Sequence, residues 1–558
     1  MALRDDRRET RRRTNSSRSL RGVERRRTHL PYDKKSTMAT ILHTLLIYFR
    51  LFLDKLIDFI FSLYWDDRKH SIPDLQKKHA ILTESATSLA RKIKAGELKS
   101  EDLVRAVIER IKEVNPILKA VVADRYDAAL EDAREVDRLV AARLSKENAQ
   151  KPFLGVPFTM KESQEMKGFY NTLGLWSRRT VKSTEDSEAV VLLKEAGAIP
   201  LAATNLPELL IWQETRNPVY GMTYNPHHSG RSPGGSSGGE AALSSSYATP
   251  ISLCSDIGGS TRMPAFYCGV FGHHPTAGTT SSKGVFLRKG GEETMLCLGF
   301  ISKHAEDLGP LTKIIAGDKA KLLDLDKSVN MKDIKFYYLD SAEDHFVSPV
   351  RQEMKNVMQR VIAKITQDLT STVNAPQKYM HEGFNHMYRL WSYWMDKEPD
   401  DYMALYAGNG KRPNAFLELA KKLLGISRHC LFTILRLFEL QLFPKVQGEW
   451  AEKLTKQMKD DLFGKLGDNG VLLLVSSPHA APFHYSCMLR PFNFSYFSIV
   501  NVLKCPATQV PLGTNSIGLP IGIQILAAPY NDALCLAVAK YLEKEFGGAV
   551  MACKVKTS

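Results

Sequence analysis

The sequence predicts an α/β fold in which helices cover a large, mixed and twisted β-sheet. Short runs rich in β-branched and apolar residues, each bounded by turn residues, alternate with helical stretches; the runs are residues 120–123, 198–203, 471–475 and 521–526. Hydrophobic residues make up 44% of the 558, which supplies a core and excludes a chain that is disordered throughout. From about residue 71 onward there is no internal repeat and no low-complexity linker, so we expect one large domain over residues 75–552.

The helical pattern is clearest over residues 84–145, where Ser100 is placed as the N-cap of one helix. The cysteines bear on the chemistry of the protein rather than on its fold. None of the eight forms a Cys-x-x-Cys pair, and no histidine cluster has zinc spacing. We therefore expect no structural zinc site and no disulfide framework.

Positive charge is concentrated at the N-terminus. The chain carries a net charge of +15, and residues 1–37, with 13 Lys/Arg and 5 Asp/Glu, account for +8 of it. Such a basic, Ser/Thr-rich tail buries too little apolar surface to offset its ordering entropy, so we predict that it is disordered. The tail is open to three interpretations: attraction to anionic lipid, a nucleic-acid arm, or a solvated tail. The rest of the chain is not strongly basic, and no specific nucleic-acid partner is expected.

Residues 38–66 form a predicted amphipathic or transmembrane-like anchor helix. The apolar run is long enough for a bilayer span, but Arg50, Asp54 and Asp58 interrupt it at intervals of four residues and mark one polar stripe. The helix either spans the membrane, lies in its interface, or docks on the protein as a soluble helix. A second apolar segment, residues 414–443, predicts a hydrophobic cap made of a helical hairpin broken near Gly425; its alternative is a pair of core helices.

Three short motifs contain the residues that could perform chemistry. In the first, an apolar stretch that starts at Gly155 delivers Lys161, which burial would turn into a base. In the second, Gly235, Ser236 and Ser237 lie in a glycine- and serine-rich loop that leads into a helix. Taken singly, the first motif also fits a strand that ends in solvent, and the second also fits a flexible linker.

The third motif runs from Ser255 to Pro264. Gly258 and Gly259 precede Ser260, so that successive backbone N–H groups converge on one point, as in an oxyanion hole. Asp256 and Arg262 flank the turn and are placed to pair across it. An ordinary glycine turn is the alternative for this motif on its own.

Together the three motifs and their separations resemble the amidase signature family over residues 80–550, with the closest likeness among its membrane-bound fatty-acid amide hydrolases. Further stretches that carry the resemblance are Thr204–Glu208, Cys268–Gly272, Ala305–Leu308, Leu489–Phe494 and Gly518–Gln524. One departure is His273-His274-Pro275-Thr276, where the family usually has Lys-Pro-Thr. The resemblance implies the amidase-signature fold, with residues 75–552 as its catalytic domain.

The resemblance also implies a Ser-Ser-Lys triad. Ser260 matches the nucleophile, Ser236 the bridging serine after a cis Gly235–Ser236 bond, and Lys161 the base. The amides of Ile257, Gly258, Gly259 and Ser260 match the oxyanion hole, and Gly235, Ser237, Asp256 and Arg262 match supporting positions. Leu210, Ile211 and Trp212 fall where related lipid amidases line the acyl channel. Neither a metal nor a cofactor is required by this chemistry.

On this basis the sequence predicts a serine hydrolase that cleaves fatty-acid amides, such as oleamide and N-acylethanolamines, to a fatty acid and an amine. The alternatives are a membrane-tethered small-molecule or aryl amidase, and a non-catalytic lipid-binding protein on the same fold. The expected partners are the lipid amide and a membrane, and a homodimer is left open. We expect a location on an endomembrane, the endoplasmic reticulum or lipid droplets, through the single N-terminal anchor.

Overall fold

The computed structural model describes residues 34–369, 375–408 and 412–557, with the backbone alone for residues 34–43. Nearly all of the tail predicted to be disordered lies outside the described residues. The chain divides into two compact units, one ending at Phe49 and one running from Arg50 to Ser558.

The described residues form α-helices of very different lengths, spread along the whole chain. These are α1 (Lys34–Trp65), α2 (Ala86–Lys94), α3 (Ser100–Leu118), α4 (Tyr126–Ala141), α5 (Lys146–Gln150), α6 (Glu188–Glu195), α7 (Gly238–Ser244), α8 (Arg262–Cys268), α9 (Ala305–Ala316), α10 (Ala320–Leu323), α11 (Gln352–Leu369), α12 (Met387–Met395), α13 (Tyr402–Ala407), α14 (Ala415–Leu423), α15 (Leu431–Leu442), α16 (Gly448–Leu466), α17 (Ser495–Leu503) and α18 (Asp532–Phe546).

The strands alternate with these helices. They are β1 (Val121–Asp124), β2 (Pro157–Lys161), β3 (Ile199–Thr204), β4 (Arg216–Asn217), β5 (Gly221–Met222), β6 (Ile251–Asp256), β7 (Phe271–His274), β8 (Cys297–Ser302), β9 (Lys335–Leu339), β10 (Gln377–Lys378), β11 (Gly470–Val475), β12 (Ala507–Thr514) and β13 (Pro520–Ala527).

Eleven of the described strands form one mixed sheet in the order β1-β3-β2-β6-β8-β7-β12-β13-β11-β9-β10. β2 pairs in parallel with both β3 and β6, whereas β8, β7, β12 and β13 pair with their neighbours in antiparallel fashion. The predicted large mixed sheet with helices around it is therefore confirmed. Each of the four predicted strand runs corresponds to a strand, displaced by no more than one residue at either end.

The pairing of β2 with β6 positions the chemistry. Both strands are buried along their whole length, and their parallel register sets Thr159 opposite Ser252 and Met160 opposite Leu253. Parallel neighbours end at the same edge of a sheet. Lys161, the last residue of β2, therefore lies beside the end of β6, from which the loop to Ser260 departs.

One local prediction was wrong: Ser100 does not cap α3. Its hydroxyl donates instead to the carbonyl of Gly155 at 2.7 Å. The amides of Ser100 and Glu101 donate to the carboxylate of Asp137, 2.7 and 3.0 Å away. A carboxylate from α4 thus performs the capping that the local sequence assigned to the serine.

Within the second unit, residues 50–65 of α1 direct two acidic side chains, Asp54 and Asp58, at the rest of that unit. Asp58 accepts hydrogen bonds from Arg351 at 2.5 Å and Arg490 at 2.7 Å, and Asp54 is 2% exposed. The opposite face of this stretch exposes Phe52, Leu56, Phe59, Ile60 and Leu63. Over the residues described here, no helix combines the length and the apolar character needed to cross a membrane.

Residues 414–443 form the predicted helical hairpin. α14 and α15 are its two helices, and Gly425, with a φ of +73°, lies in the turn between them. Leu423 and Leu424 at the end of α14 are 82% and 73% exposed, whereas Phe432 on α15 is buried. We refer to this hairpin, residues 414–443, as the cap.

Candidate active site

Lys161 provides an amine in the protein interior. Its side chain is fully buried at the end of β2. Nζ lies 2.7 Å from Ser236 Oγ, 3.0 Å from Ser255 Oγ and 3.3 Å from the Ser255 carbonyl. Burial lowers the pKa of Lys161 to about 7. Close to neutral pH the amine is therefore present in both its charged and its neutral form.

The contacts of Nζ can be satisfied by the neutral amine as well as by the charged one. A neutral amine has two N–H donors and one lone pair, and Nζ has three polar neighbours. Two donations to the hydroxyl and carbonyl of Ser255 leave the lone pair for the Ser236 hydroxyl. Sequence reasoning missed Ser255 as a partner of Lys161, although it opens the third motif.

Ser236 lies where the glycine-rich loop approaches other backbone most closely. The peptide bond Gly235–Ser236 is cis. A Cβ added to Gly235 would lie 2.0 Å from the Trp212 carbonyl oxygen, so only glycine fits there. The amide of Ser237 donates to the Ser260 carbonyl at 3.1 Å. This hydrogen bond ties the second motif to the third.

A buried ion pair shapes the loop that carries Ser260. Arg262 donates from Nε to Asp256 Oδ2 at 3.0 Å and from Nη2 to Oδ1 at 3.1 Å, so the predicted pairing is confirmed. The Asp256 carboxylate also accepts the amides of Gly259 at 2.7 Å and Thr261 at 3.1 Å. The Arg262 guanidinium overcomes the effect of burial and holds the Asp256 pKa well below its usual range.

This arrangement corrects one predicted role. Because the Gly259 amide donates to Asp256, it supports the loop instead of facing an oxyanion. Gly259 has a φ of +107°, and a Cβ there would lie 2.2 Å from the Cβ of Phe497. The other three predicted residues, Ile257, Gly258 and Ser260, line the cavity described next.

A cavity of about 350 Å³ opens at Ser260, which is 8% exposed. Its walls are mostly apolar and aromatic, and they include all three residues expected to line an acyl channel, Leu210, Ile211 and Trp212. Phe432 of the cap stacks on Trp212 with ring centroids 4.9 Å apart. Trp391, on α12, donates from Nε1 to the Ile257 carbonyl at 3.1 Å.

Sequence reasoning missed Trp391, and no local signal points to it, because it follows Ile257 by 134 residues on a helix of ordinary composition. Phe432 lies in residues 414–443, the segment predicted as a hydrophobic cap, but its position against Trp212 was not predicted. Only the tertiary fold places them beside the loop of Ser260.

Glu240 is a second buried ionisable group close to the lysine. It accepts hydrogen bonds from the hydroxyls of Thr159 at 2.5 Å and Thr204 at 2.8 Å. Burial raises its pKa to about 7, and the charge of Lys161 opposes that rise. The buried carboxylate in turn favours the charged form of Lys161.

The histidines that depart from the family pattern lie behind the Ser260 loop. His274 Nδ1 is 3.9 Å from Asp256 Oδ1, and burial lowers the His274 pKa to about 3. His273 Nδ1 lies 2.9 Å from the Thr508 hydroxyl. Because both side chains are fully buried in β7, the departure changes the packing behind the site.

Comparisons with known proteins bear on the family to which the chain belongs. The family model described as Amidase matches residues 102–536. Fatty-acid amide hydrolase 2 of Homo sapiens is 39% identical over 84% of this chain and 90% of its own length. Fatty-acid amide hydrolase 2-B of Danio rerio is 40% identical over 84% of this chain and 91% of its own.

A solved structure described as fatty acid amide hydrolase has a TM-score of 0.67 and 21% identity, covering 85% of this chain and 87% of that one. At this identity the likeness bears on the fold alone. The family model and the relatives at 39–40% identity carry the assignment, because each spans most of the chain. The chain therefore belongs to the amidase signature family and is an amide-cleaving hydrolase.

Proposed function

We propose that this enzyme hydrolyses fatty-acid amides through an acyl-enzyme on Ser260, with Ser236 as the proton relay and Lys161 as the base. The observation that carries the proposal is the fully buried Lys161 amine, 2.7 Å from Ser236 Oγ. A serine hydroxyl is a weak nucleophile unless a base takes its proton. A lysine with an ordinary pKa is protonated at neutral pH, so a lysine base requires the lowered pKa that burial gives Lys161.

The reaction follows from these positions. Neutral Lys161 accepts the proton of Ser236, Ser236 accepts that of Ser260, and Ser260 Oγ attacks the amide carbonyl carbon. The backbone amides of Ile257, Gly258 and Ser260 are the proposed donors to the oxyanion, and one such donor contributes about 3–4 kcal/mol. The leaving nitrogen takes its proton back through Ser236, and water then releases the fatty acid from Ser260.

The substrate class is supported by the cavity walls. Leu210, Trp212 and Phe432 give the cavity an apolar lining suited to a long acyl chain. The relatives at 39–40% identity bear the name fatty-acid amide hydrolase 2. We therefore propose primary fatty-acid amides such as oleamide, together with N-acylethanolamines, as substrates.

The outer surface supports access from a membrane. On the cap, Leu423, Leu424 and Ile426 are each more than 60% exposed. Exposed apolar patches of this kind are typical of surfaces that contact lipid. We propose that the cap, which also supplies Phe432 to the cavity, rests on the membrane that holds the substrate. The apolar face of α1 residues 50–65 is proposed as a second lipid contact.

The test is the release of oleic acid from oleamide in detergent by the wild type, Ser260→Ala and the matched control Ser281→Ala. We expect release by the wild type and the control, and its loss in Ser260→Ala. Cleavage of short aromatic amides without any cleavage of oleamide would favour the aryl-amidase alternative. Failure to cleave any amide or to react with a fluorophosphonate would favour a lipid-binding protein.

A further inference from the structure

The apolar cavity at Ser260 contains one ion pair. Arg436 Nη1 lies 2.5 Å from Glu439 Oε1, and both residues are on α15. Among the described residues that line the cavity, these two alone carry a charge. Charged groups are seldom placed in an apolar wall unless they pair or bind something, because desolvation is costly.

The pair lies close to the reacting end of the cavity. The Arg436 guanidinium is 5.9 Å from the ring centroid of Trp391, and Trp391 donates to the Ile257 carbonyl at 3.1 Å. One indole ring thus separates the guanidinium from the oxyanion loop. This position favours contact of the pair with groups near the scissile bond over contact with the far end of a long acyl chain.

Arg436 retains donors for a ligand. Its described polar contacts, the ion pair with Glu439 at 2.5 Å and the hydrogen bond to the Tyr388 hydroxyl at 3.3 Å, both involve Nη1. The Nε and Nη2 edge, with two parallel N–H groups, is the edge that binds a carboxylate in bidentate fashion. Burial raises the pKa of Glu439, the Arg436 cation opposes that rise, and a second anion at Arg436 would weaken the pairing and favour the acid form of Glu439.

We propose that Arg436 and Glu439 make the enzyme selective for lipid amides whose amine portion carries a carboxylate, the N-acyl amino acids. The inference rests on the proposed function and names a substrate class for the same site. The substrate carboxylate binds Arg436. When the substrate is uncharged, Glu439 is the counter-ion of Arg436. Glu439 in its acid form donates a hydrogen bond to the bound carboxylate.

The reaction is the same hydrolysis with a different leaving group. Ser260 Oγ bonds to the acyl carbon, the C–N bond breaks, and the nitrogen receives the proton that Ser260 gave up through Ser236. The free amino acid leaves, and water cleaves the acyl ester to give the fatty acid and restore Ser260. Neither an oxidant nor another co-reactant is needed.

A neighbouring cavity, whose walls are more polar than those of the cavity at Ser260, offers the charged product a way out. It has a volume of about 710 Å³, and Ile211, Tyr388, Arg436 and Glu439 line both it and the cavity at Ser260. Arg389, Asp396 and Lys445 are among its other lining residues. An amino acid released beside Arg436 therefore reaches polar surroundings without crossing the apolar wall.

The first test compares N-oleoylglycine with N-oleoylethanolamine, which share the acyl chain and differ by a carboxylate in place of a hydroxymethyl group. We expect the full-length wild type to have a higher kcat/KM on N-oleoylglycine than on N-oleoylethanolamine. An equal or lower kcat/KM on N-oleoylglycine would overturn the inference while leaving the proposed function intact. No fatty-acid release from either compound or from oleamide would overturn the proposed function itself.

The second test uses the ratio of kcat/KM on N-oleoylglycine to that on oleamide, each measured in the same preparation. Arg436→Met should lower this ratio by about 10- to 100-fold, mainly through KM, as expected when a charge-assisted hydrogen bond is lost. Glu439→Gln should raise the ratio, because the competing carboxylate is gone.

The control is Lys421→Met, which removes the cation of another ion pair in the cap, Lys421–Glu418 at 2.7 Å, outside the cavity. Its ratio should equal that of the wild type. An unchanged ratio in Arg436→Met, or a lowered one in Glu439→Gln, would contradict the inference. If Arg436→Met is inactive on both substrates, Glu439→Gln provides the test. A raised ratio in that variant supports the inference, and an unchanged or lowered ratio contradicts it.

Discussion

At the scale of single residues, the site depends on charges placed where water cannot reach them. Lys161 is fully buried, and its amine is held by Ser236 and by the hydroxyl and carbonyl of Ser255. Desolvation makes the protonated form unfavourable, and the carboxylates of Glu240 and Asp256 limit that effect. The balance leaves a lysine that can lose its proton near neutral pH.

The first prediction concerns pH. Because the proposed base is neutral Lys161, kcat/KM on oleamide should rise about tenfold per pH unit below the Lys161 pKa of about 7 and level off above it. Steady-state rates between pH 5.5 and 9 measure this. Lys303, another buried lysine but outside the cavity, supplies the control, since Lys303→Met should keep the same midpoint. A flat profile in the wild type would rule out a lysine base.

The second prediction concerns the ion pair under the Ser260 loop. Asp256→Asn leaves the buried Arg262 without its counter-ion, so we expect a loss of about 3–5 kcal/mol in the free energy of unfolding. Asp132→Asn breaks a surface pair, that of Asp132 with Arg125, and should cost about 1 kcal/mol or less. Urea unfolding followed by fluorescence measures both. Equal effects of the two variants would contradict the buried-pair account.

At the scale of elements, the cap connects the surface to the cavity. Phe432 of α15 stacks on Trp212 inside, while Leu423 and Leu424 of α14 point to the outside. The third prediction is that the double variant Leu423→Glu and Leu424→Glu binds phosphatidylcholine vesicles at least about tenfold less well, since each buried leucine contributes about 1.5–3 kcal/mol.

Vesicle sedimentation of the full chain measures this loss. Leu322→Glu is the matched control, because Leu322 is also exposed, at 49%, but lies on α10 outside the cap. It should bind vesicles as the wild type does. Equal binding by the cap variant and the wild type would show that the cap does not rest on lipid.

Local signals predicted some elements well and others not at all. β11, over residues 470–475, follows from an apolar run between turn residues, because a buried strand needs little beyond its own sequence. The group that caps the N-terminus of α3 was not predicted, because it is the carboxylate of Asp137, which comes from a neighbouring helix. The role of Gly259 was also mispredicted, because its amide is taken by a carboxylate that the glycine pattern does not reveal.

At the scale of the whole molecule, the C-terminal residues support the helices that follow Ser236 and Ser260. The amide of Val550 donates to the Gly269 carbonyl at 2.7 Å, just after α8, and that of Ala552 to the Ser245 carbonyl at 3.1 Å, just after α7. In the same segment, the Leu75 amide donates to the Lys554 carbonyl and the Lys556 amide donates to the Leu75 carbonyl, each at 2.9 Å. Leu75 and the C-terminal segment thus lie side by side, although almost the whole chain separates them.

The fourth prediction follows from those contacts. Deleting residues 550–558 removes four backbone hydrogen bonds, each worth about 0.5–1.5 kcal/mol, and should lower the Tm and the rate of oleamide hydrolysis together. Deleting residues 557–558 keeps the four bonds and should change neither. Differential scanning fluorimetry and oleic-acid release measure the two effects. If the longer deletion had the same Tm as the full-length protein, the supporting role of the C-terminal residues would be contradicted.

The architecture, the three motifs and one part of the cavity wall, residues 210–212, could be predicted from the sequence, whereas the rest of the wall could not. Lys161, Ser236 and Ser260 lie in short stretches with a recognisable pattern. Trp391 and Phe432 lie more than 100 residues after Ser260, and although Phe432 belongs to the predicted cap, no local pattern places either residue at the cavity. Their proximity to Ser260 is a property of the tertiary fold.

The most direct test of the central claim is to find which residue a long-chain fluorophosphonate modifies. Peptide mass spectrometry of the labelled full-length enzyme should place the adduct on Ser260, with labelling abolished in Ser260→Ala and strongly slowed in Lys161→Met. An adduct on Ser236 or another serine, or an enzyme that releases oleic acid yet stays unlabelled, would contradict the account.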